Sequence, residues 1–389
     1  MIDPISIWEE LCSDTCAQLR ASASAIDSSD VAAVTRLRND YEAELVRAAL
    51  YLAEARLKLA KKWAAPDLIA DPEGAEMASG SLAAQYKADR FARTHPGARV
   101  WDLCCGIGAD SVMLARAGMD VVAVDFDPLR AWIAGKNAGC GVRTQDVETM
   151  DLDEMPGRDL FHLDPSRRDS AGRRIKYDLL SPGPEFIARL CDGRTGAVKL
   201  PPGVDPGEPP QGEIEYISER GKMTQAVLWT GGLAGPGVSA AALRPDRAPA
   251  KINGEPGADH ECPWADIESC AWVHTSDPCV ERAGLLPALC DRAGLALAHP
   301  GTGLLCGDER SDDEFLTVFR VRAVIPWRRE KVRDWLRAHD CGIVEIKTRG
   351  KAADTDKEQK ALRGRGGTAY TVFVLRFGRA VRGIICERA

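Results

Sequence analysis

The stretch VWDLCCGIGAD (Val100–Asp110), followed by VVAVDFDP (Val121–Pro128), decides the fold of this chain. Apolar runs on either side of a glycine-rich turn predict a buried strand, a tight turn, a helix start and a second buried strand. Glycines let the backbone approach a ligand closely, and the helix start offers unpaired N–H groups. Asp125, at the tip of the second strand, is predicted to accept both hydroxyls of a ribose. The pattern therefore predicts a site for a nucleotide-type cofactor.

The residues of the turn favour S-adenosylmethionine over a dinucleotide. The third small position of the dinucleotide pattern G-x-G-x-x-G/A is occupied by Ser111. Asp102 opens the turn, and a carboxylate is unfavourable beside a pyrophosphate but favourable beside a sulfonium and an ammonium. A nicotinamide or flavin dinucleotide, and a glycine turn without a ligand, remain as alternatives. The predicted cofactor-binding residues are Asp102, Cys104, Gly106, Gly108, Asp110, Asp125, Phe126, Asp146 and Val147.

Four acids are predicted at the carboxyl ends of strands: Asp102, Asp125, Asp146 and Asp164. Strands alternate with helices until a predicted hairpin, EIEYISERGKMTQAVLW (213–229), with Gly221 in its turn. In an open parallel sheet the ligand lies across the carboxyl ends of the strands. We expect Asp146 to reach an adenine amino group, although each of these acids also suits a helix N-cap.

Residues 100–165 resemble class I S-adenosylmethionine-dependent methyltransferases, and residues 35–389 resemble a bacterial family of such enzymes with a C-terminal THUMP-like domain. The resemblance implies an α/β fold, namely a Rossmann-like class I methyltransferase sheet with an N-terminal helical extension and a C-terminal α+β THUMP-like domain. It also implies RNA as the partner. The matching motifs are RNDYEAELVRAALYLAEAR (38–56), DLCCGIGADSVMLA (102–115), DPSRR (164–168) with Gly172-Arg173-Arg174, VKLPPGVD (198–205), DPCVERAGLL (277–286), FRVRAVIPW (319–327) and VEIKTRG (344–350).

The pattern along the chain predicts four segments. Residues 1–95 are predicted to be helical, and residues 96–233 to form the methyltransferase domain. Residues 234–267 are rich in Gly, Pro and Ala, which predicts a linker. Residues 268–389 are predicted to form an α+β domain in which one helix runs from Pro278 to Arg292.

The composition is that of a globular protein, with 45% hydrophobic and 28% charged residues. No apolar stretch approaches the roughly 18 residues of a membrane helix, and the N-terminus is unlike a signal peptide. We therefore expect a cytoplasmic protein without a membrane partner. The 13 cysteines lack a paired C-x-x-C motif, which favours reduced thiols and disfavours a metal site. The oligomeric state stays open.

Positive charge is concentrated at the C-terminal end. The chain carries a net charge of −7, but Arg320 to Ala389 contains 18 Lys and Arg against 8 Asp and Glu, a local charge of +10. Such asymmetry points to nucleic acid, although a solvated helix surface accounts for part of it. The cations considered for phosphate binding are Arg328, Arg329, Lys331, Arg333, Arg337, Lys347, Arg349, Lys351, Arg363 and Arg365.

The predicted catalytic residues are Asp164 and Pro165. A displacement at a sulfonium carbon needs an acceptor with a free lone pair, aligned by the protein. Asp164 is positioned to accept a hydrogen bond from a substrate amine, with the Pro165 carbonyl as a second acceptor. Amino-methylating enzymes carry Pro-Pro and an aromatic residue after the acid or Asn, whereas this chain has Ser166 and Arg167. That departure leaves open whether a guanine or an adenine nitrogen is the acceptor.

The predicted substrate-binding residues are Arg167, Arg168, Lys199, Lys347 and Arg349. Arginines stack on bases and bind phosphate, but the arginines of the DPSRR segment also suit pairing with nearby acids. His162 precedes the segment inside a strand and is predicted to be a buried, hydrogen-bonded histidine rather than a base.

The sequence predicts a methyltransferase that acts on a base amino nitrogen in RNA, either tRNA or rRNA. A protein or small-molecule methyltransferase stays open, as does an RNA-binding adaptor that retains the cofactor site without catalysis.

Overall fold

The computed structural model describes residues 3–64, 68–167, 176–349 and 352–389, without the side chain of Arg167. The chain divides into two compact units. The first comprises Met1–Ile214 and Gln225–Gly235, and the second comprises Glu215–Thr224 and Pro236–Ala389.

Helices dominate the first part of the first unit. Aspartates accept backbone N–H groups at several helix starts, for example Asp71 from Gly74 and Asp127 from Leu129. Leu45 and Leu52 pack with Trp8 in a buried core. The helices are α1 (Pro4–Cys12), α2 (Ala17–Ser24), α3 (Val31–Asp40), α4 (Ala43–Leu59), α5 (Pro72–Met77), α6 (Ser81–Thr94), α7 (Ala109–Arg116), α8 (Pro128–Ala138) and α9 (Pro184–Cys191).

Most strands of the first unit form an open, mainly parallel sheet. The strands of this unit are β1 (Arg99–Leu103), β2 (Asp120–Asp125), β3 (Gly141–Thr144), β4 (Leu160–Leu163), β5 (Ser166–Arg167), β6 (Leu180–Ser181), β7 (Gly196–Leu200), the first two residues of β8 (Glu213–Glu219), and β9 (Lys222–Thr230) from Gln225 onward. The order is β9-β7-β4-β1-β2-β3, and β9 is antiparallel to β7. The strands β5 and β6 form a separate antiparallel pair. The predicted alternation closed by a hairpin strand is confirmed, and the ends of β1, β2 and β4 meet at one edge.

The second unit is an α+β body. Its strands, besides the rest of β8, are β10 (Val238–Leu243), β11 (Ala250–Gly254), β12 (Trp272–Ser276), β13 (Ala296–Leu297), β14 (Leu304–Gly307), β15 (Leu316–Pro326), β16 (Cys341–Thr348), β17 (Thr368–Phe377) and β18 (Ala380–Arg388). Its helices are α10 (Pro278–Arg282), α11 (Leu286–Ala293), α12 (Arg329–Ala338) and α13 (Thr355–Leu362). One sheet has the order β13-β14-β12-β15-β18-β17-β16. Its two faces bury separate cores, with Phe373 and Ile384 on one and Val372 and Ile385 on the other.

Two predicted segments differ from the structure. The predicted linker, 234–267, contains strands β10 and β11. They form an antiparallel pair in which Val238 lies opposite Gly254 and Ala242 lies opposite Ala250. Small alanines fill β10, so its composition resembles a loop although its residues are buried. The predicted helix Pro278–Arg292 is two helices, because Gly284 adopts a φ of +70° that ends α10.

Candidate active site

The glycine turn between β1 and α7 contains three residues in the left-handed backbone conformation. Cys104, Gly106 and Gly108 have φ values of 58°, 55° and 77°. A Cβ on Gly108 would lie 2.8 Å from the Cα of Ala134, so this position requires glycine to let α7 pack on α8. A Cβ on Gly106 would meet no atom of the described residues within 4 Å. The loop is therefore packed on one side and open at Gly106, where a ligand has room.

Asp125 ends β2 beside this loop. Its Oδ2 accepts the N–H of Gly106 at 2.9 Å, and its Oδ1 accepts the N–H of Asp127 at 3.1 Å. Burial raises the pKa of the Asp125 carboxyl, and the two backbone donors partly oppose that shift. An ionised carboxylate has about four acceptor positions, so lone pairs remain for two hydroxyl groups.

The electrostatic environment of the loop is negative. Burial raises the pKa of the Cys104 thiol well above its usual range, and the carboxylates of Asp125, Asp164, Asp102 and Asp146 raise it further. The four predicted acids thus act together on one point of the loop. Such a site favours a cationic ligand and disfavours a pyrophosphate.

Three further predicted residues line the same edge of the sheet. Phe126, directly after β2, is 74% exposed, which is unusual for a large apolar side chain. Asp146 follows β3 and is exposed, while its carboxylate caps the N–H of Glu148 at 3.0 Å. Val147 is buried. An exposed aromatic ring and a surface carboxylate beside Asp125 suit the recognition of an adenosine.

Asp164 directly follows β4, and Lys199 lies opposite it in β7, since Leu163 pairs with Val198. The Nζ of Lys199 donates a hydrogen bond of 2.7 Å to Oδ2 of Asp164. The Asp164 side chain is 28% exposed and that of Lys199 is 12% exposed. Within the described part of the chain, Oδ1 of Asp164 has no hydrogen-bond partner, whereas Pro165 is buried. The carboxylate is fixed through one oxygen and available through the other.

Asp102 is buried, and both of its carboxylate oxygens accept hydrogen bonds from other side chains. Ser111 Oγ donates to its Oδ2, and His162 Nδ1 donates to its Oδ1 at 2.7 Å. Asp102 and His162 are each 1% exposed. Lys87 Nζ donates to Nε2 of His162 at 2.9 Å. His162 therefore has both ring nitrogens bonded, as the sequence predicts.

Asp110 is the next member of this buried chain. Its Oδ1 lies 2.7 Å from Lys87 Nζ, and its Oδ2 accepts the hydroxyl of Ser79 at 2.7 Å. Burial raises the pKa of the Asp110 carboxyl, but Lys87, His162 and Lys199 together outweigh that effect and hold the pKa well below its usual range. Ser79 Oγ in turn accepts from Lys199 Nζ at 3.1 Å. A continuous polar chain thus runs from Asp102 beneath the cofactor loop to Asp164.

Lys87 and Ser79 are site residues that were not predicted from the sequence. The signal lies in α6, where Ala84, Ala88 and Phe91 form an apolar face at helical spacing and Lys87 lies within it. A lysine on such a face is rarely fully buried without a partner, so its position predicts an internal acid.

The basic tail of the second unit divides into paired and unpaired cations. The sequence-predicted Arg349 pairs with Glu281, and Lys347 lies 3.5 Å from Glu345 and 5.4 Å from the ring centre of Phe319. Arg337, Arg363 and Arg365 are exposed, and within the described residues they have no ion-pair partner. Of the arginines predicted in the DPSRR segment and in the Gly172-Arg173-Arg174 motif after it, the side chain of Arg167 and the whole of Arg168, Arg173 and Arg174 lie outside the described residues, as does Lys351 of the basic tail.

Arg363 and Arg365 belong to the RGRGG loop (Arg363–Gly367), which is hydrogen-bonded to β16. Gly364 N–H and Gly366 N–H donate to the carbonyls of Gly342 and Cys341 at 3.0 Å each. A Cβ on Gly364 would lie 1.9 Å from the Cys341 carbonyl oxygen, so the close contact requires glycine. The glycines tie the loop to β16 while the arginine side chains face solvent.

An aromatic pair lies near this loop, to which it is connected through Asp340. Trp335 and His339 stack with ring centres 3.7 Å apart and planes 9° apart. His339 is followed by Asp340, whose Oδ2 accepts the N–H of Gly367 at 3.1 Å. Arginines beside aromatic rings suit contact with phosphates and bases.

Two negative findings concern the described residues. They contain no group of three or more His, Cys, Asp or Glu placed to hold a metal ion. Among them no helix combines the length and apolarity that crossing a membrane requires.

Comparison with known domain families matches residues 316–388 to one described as THUMP domain-like. The match covers β15 to β18 with α12 and α13 between them, so it includes the RGRGG loop. It confirms the predicted THUMP-like domain and lies within the predicted segment 268–389.

Comparison with curated proteins finds two relatives from Mycobacterium tuberculosis, in strains CDC 1551 / Oshkosh and ATCC 25618 / H37Rv. Each is named an uncharacterized S-adenosylmethionine-dependent methyltransferase and is 32% identical over 312 residues, covering 79% of this chain and 84% of the relative. Among solved structures, a protein from Porphyromonas gingivalis W83, provisionally named a methyltransferase, superposes with a TM-score of 0.76 at 16% identity. That match covers 96% of this chain and 98% of the other. The predicted fold class is confirmed.

Proposed function

The chain belongs to the family of S-adenosylmethionine-dependent methyltransferases that its curated relatives represent, and we propose that it methylates a base amino nitrogen of RNA, transfer or ribosomal, in the cytoplasm. S-Adenosylmethionine is its cofactor and supplies an electrophilic methyl group on a sulfonium. The observation that carries the proposal is Asp164, whose Oδ1 is left available beside the cofactor loop.

We propose that the residues around the glycine turn hold the cofactor. Asp125 accepts the ribose hydroxyls, Phe126 and Val147 contact the adenine, and Asp146 accepts its amino group. The space over Gly106 and the negative potential at Cys104 support binding of the cationic part. Asp102 and Asp110 act indirectly, because their carboxylates are bonded to Ser111, His162, Lys87 and Ser79.

Asp164 acts on the acceptor. A base amino group donates a hydrogen bond to Oδ1 of Asp164, which turns the nitrogen lone pair away from the carboxylate and toward the methyl group. The Pro165 carbonyl is the proposed second acceptor. Lys199 contacts Asp164 rather than the acceptor in the structure, so we assign it to fixing the carboxylate. The lone pair of a base amino nitrogen is conjugated with the ring, so the hydrogen bond to Asp164 also helps to localise that pair on the nitrogen. The nitrogen would be cationic once methylated, and Oδ1 of Asp164 is placed to accept the proton that it then loses.

The second unit binds the RNA in this proposal. The THUMP domain-like match supports that assignment, as does the unpaired positive charge of Arg337, Arg363 and Arg365. The Trp335–His339 stack adds an aromatic surface for an unpaired base. Lys347 and Arg349 keep acidic neighbours, so we assign them a smaller share of the phosphate contact.

The test is methyl transfer from radiolabelled S-adenosylmethionine to fractions of a cell extract from a strain that lacks the gene. Label in RNA, lost on nuclease treatment, supports the proposal. Label confined to protein or to small molecules contradicts it and favours the other methyltransferase classes. Cofactor binding without label in any fraction contradicts catalysis and favours an RNA-binding adaptor.

A further inference from the structure

The polar chain of the first unit contains one uncharged link between two ion pairs. Lys87 and Asp110 form the inner pair, and Lys199 and Asp164 form the outer pair at the active site. Ser79 Oγ is hydrogen-bonded to Asp110 at 2.7 Å and to Lys199 at 3.1 Å. Ser79 therefore joins the interior of the protein to the catalytic carboxylate.

The direction of these hydrogen bonds is fixed by the donors available. Asp110 is ionised and only accepts, so the single hydroxyl proton of Ser79 points to it. The lone pairs of Ser79 then face Lys199, whose ammonium only donates. Ser79 is 5% exposed, and its own carbonyl accepts Trp63 Nε1–H at 3.0 Å. The Ser79 hydroxyl is thus held in place, with its proton toward Asp110 and its lone pairs toward Lys199.

We infer that Ser79 is a positioning residue for the transfer reaction: it fixes the Lys199 ammonium, which fixes the Asp164 carboxylate and leaves Oδ1 for the acceptor. The inference rests on the role of Asp164 in the proposed function. It assigns to the segment between α5 and α6, which precedes the methyltransferase sheet in the chain, a part in building the active site. A small error in the carboxylate position is costly because transfer needs close alignment.

Ser79→Ala tests this role, with Ser81→Ala as the matched control. Ser81 lies two residues away, and its hydroxyl donates to the Lys62 carbonyl at 3.0 Å, its one hydrogen bond to the described residues. In single-turnover reactions at saturating cofactor, Ser79→Ala should slow methyl transfer at least tenfold, while the cofactor Kd changes less than twofold. Ser79→Thr keeps the hydroxyl and should recover most of the rate. The acceptor is whichever fraction the wild type labels, so the test does not require that fraction to be RNA.

A double variant shows whether Ser79 acts through Lys199. Once Lys199→Met has removed the ammonium, adding Ser79→Ala should slow transfer less than twofold further. Full additivity of the two effects would overturn the inference. A slowing by Ser81→Ala equal to that by Ser79→Ala would overturn it as well, because the effect would then belong to the segment and not to the hydroxyl.

A chemical readout needs no acceptor. Lys199 has lost one acceptor in Ser79→Ala, so its amine should react faster with an acylating reagent, by at least threefold, as measured by mass spectrometry of the peptide. Ser81→Ala should leave that rate unchanged. If Lys199 is acylated at the same rate in Ser79→Ala as in the wild type, the inference is overturned, whether or not the wild type labels RNA. A wild type that labels no RNA contradicts the proposed function instead, so the two failures are distinguishable.

Discussion

Lys199 and Asp164 lie opposite each other at the ends of β7 and β4, and the Lys199 Nζ donates a 2.7 Å hydrogen bond to one oxygen of Asp164. This bond leaves the second oxygen of Asp164, Oδ1, available as a hydrogen-bond acceptor beside the cofactor loop. Lys199 is itself held by Ser79, so the orientation of the carboxylate depends on residues from before and after the cofactor loop.

The two glycines of the cofactor loop should respond differently to alanine. Gly106→Ala places a methyl group in open space, but at a φ of 55° the alanine costs about 1–2 kcal/mol of backbone strain. The protein should therefore fold with somewhat lower stability, while cofactor affinity falls by tenfold or more. Gly108→Ala meets the Ala134 backbone and should lower the free energy of unfolding by about 2 kcal/mol or more. Calorimetry with S-adenosylhomocysteine and denaturant unfolding measure the two effects. Equal cofactor affinity in Gly106→Ala and the wild type would contradict a ligand at this place.

Removal of the RGRGG arginines should weaken RNA binding. Arg363→Ala/Arg365→Ala removes two cations that lack an ion-pair partner among the described residues. The slope of log Kd against the logarithm of the salt concentration should fall by about 1.4 for single-stranded RNA. Arg376→Ala/Arg379→Ala is the control, because it removes two exposed arginines next to the turn between β17 and β18. Fluorescence anisotropy at several salt concentrations measures both. An equal loss in the two double variants would assign the binding to net charge alone.

Lys87→Met should destabilise the first unit. It leaves Asp110 buried beside a neutral side chain, which typically costs about 3–5 kcal/mol. Adding Asp110→Asn removes the uncompensated charge and should restore part of the free energy of unfolding. If the double variant is less stable than Lys87→Met, the Lys87–Asp110 pair does not account for the loss.

His274 should make the second unit sensitive to acid. Burial lowers the pKa of His274 to about 4, and its Nε2 accepts the N–H of Ser311 at 3.2 Å. Below about pH 6.5 the unfolded chain binds a proton that the folded unit takes up only near pH 4, so stability falls as the pH falls. Between pH 7 and pH 5 the loss should be about 2 kcal/mol. His274→Gln should remove that part of the pH dependence of the free energy of unfolding, measured in urea. If this free energy falls with pH as steeply in His274→Gln as in the wild type, His274 is not its cause.

Local patterns in the sequence sufficed for the sheet and for the position of its acids. The strand tips at Asp125 and Asp164 follow from apolar runs that end in an acid, and the parallel order follows from helices between them. The internal bonds of Asp102 and Asp110 were not predictable in this way, because a carboxylate at a strand end or in a first helical turn reads equally as ligand-binding or structural. The partners are His162 for Asp102 and Lys87 for Asp110, and both come from other segments. A contact between segments distant in sequence leaves no local pattern.

Amino-acid composition is a poor guide to structure where burial depends on long-range packing. Strand β10 reads as a linker because VSAAAL has small side chains, yet all six residues are buried. The RGRGG loop was predicted only as positive charge, since the contact of its glycines with residues 340–342 is not visible in the sequence.

The most direct test of the proposed function is mass spectrometry of nucleosides from RNA that has been incubated with the protein and S-adenosylmethionine carrying a deuterated methyl group. The account predicts one base nucleoside with the heavy methyl on an exocyclic nitrogen, produced by the wild type and lost in Asp164→Ala, while Asp164→Ala still binds S-adenosylhomocysteine. A heavy methyl on a ribose or on a ring carbon, or an undiminished yield from Asp164→Ala, would contradict it.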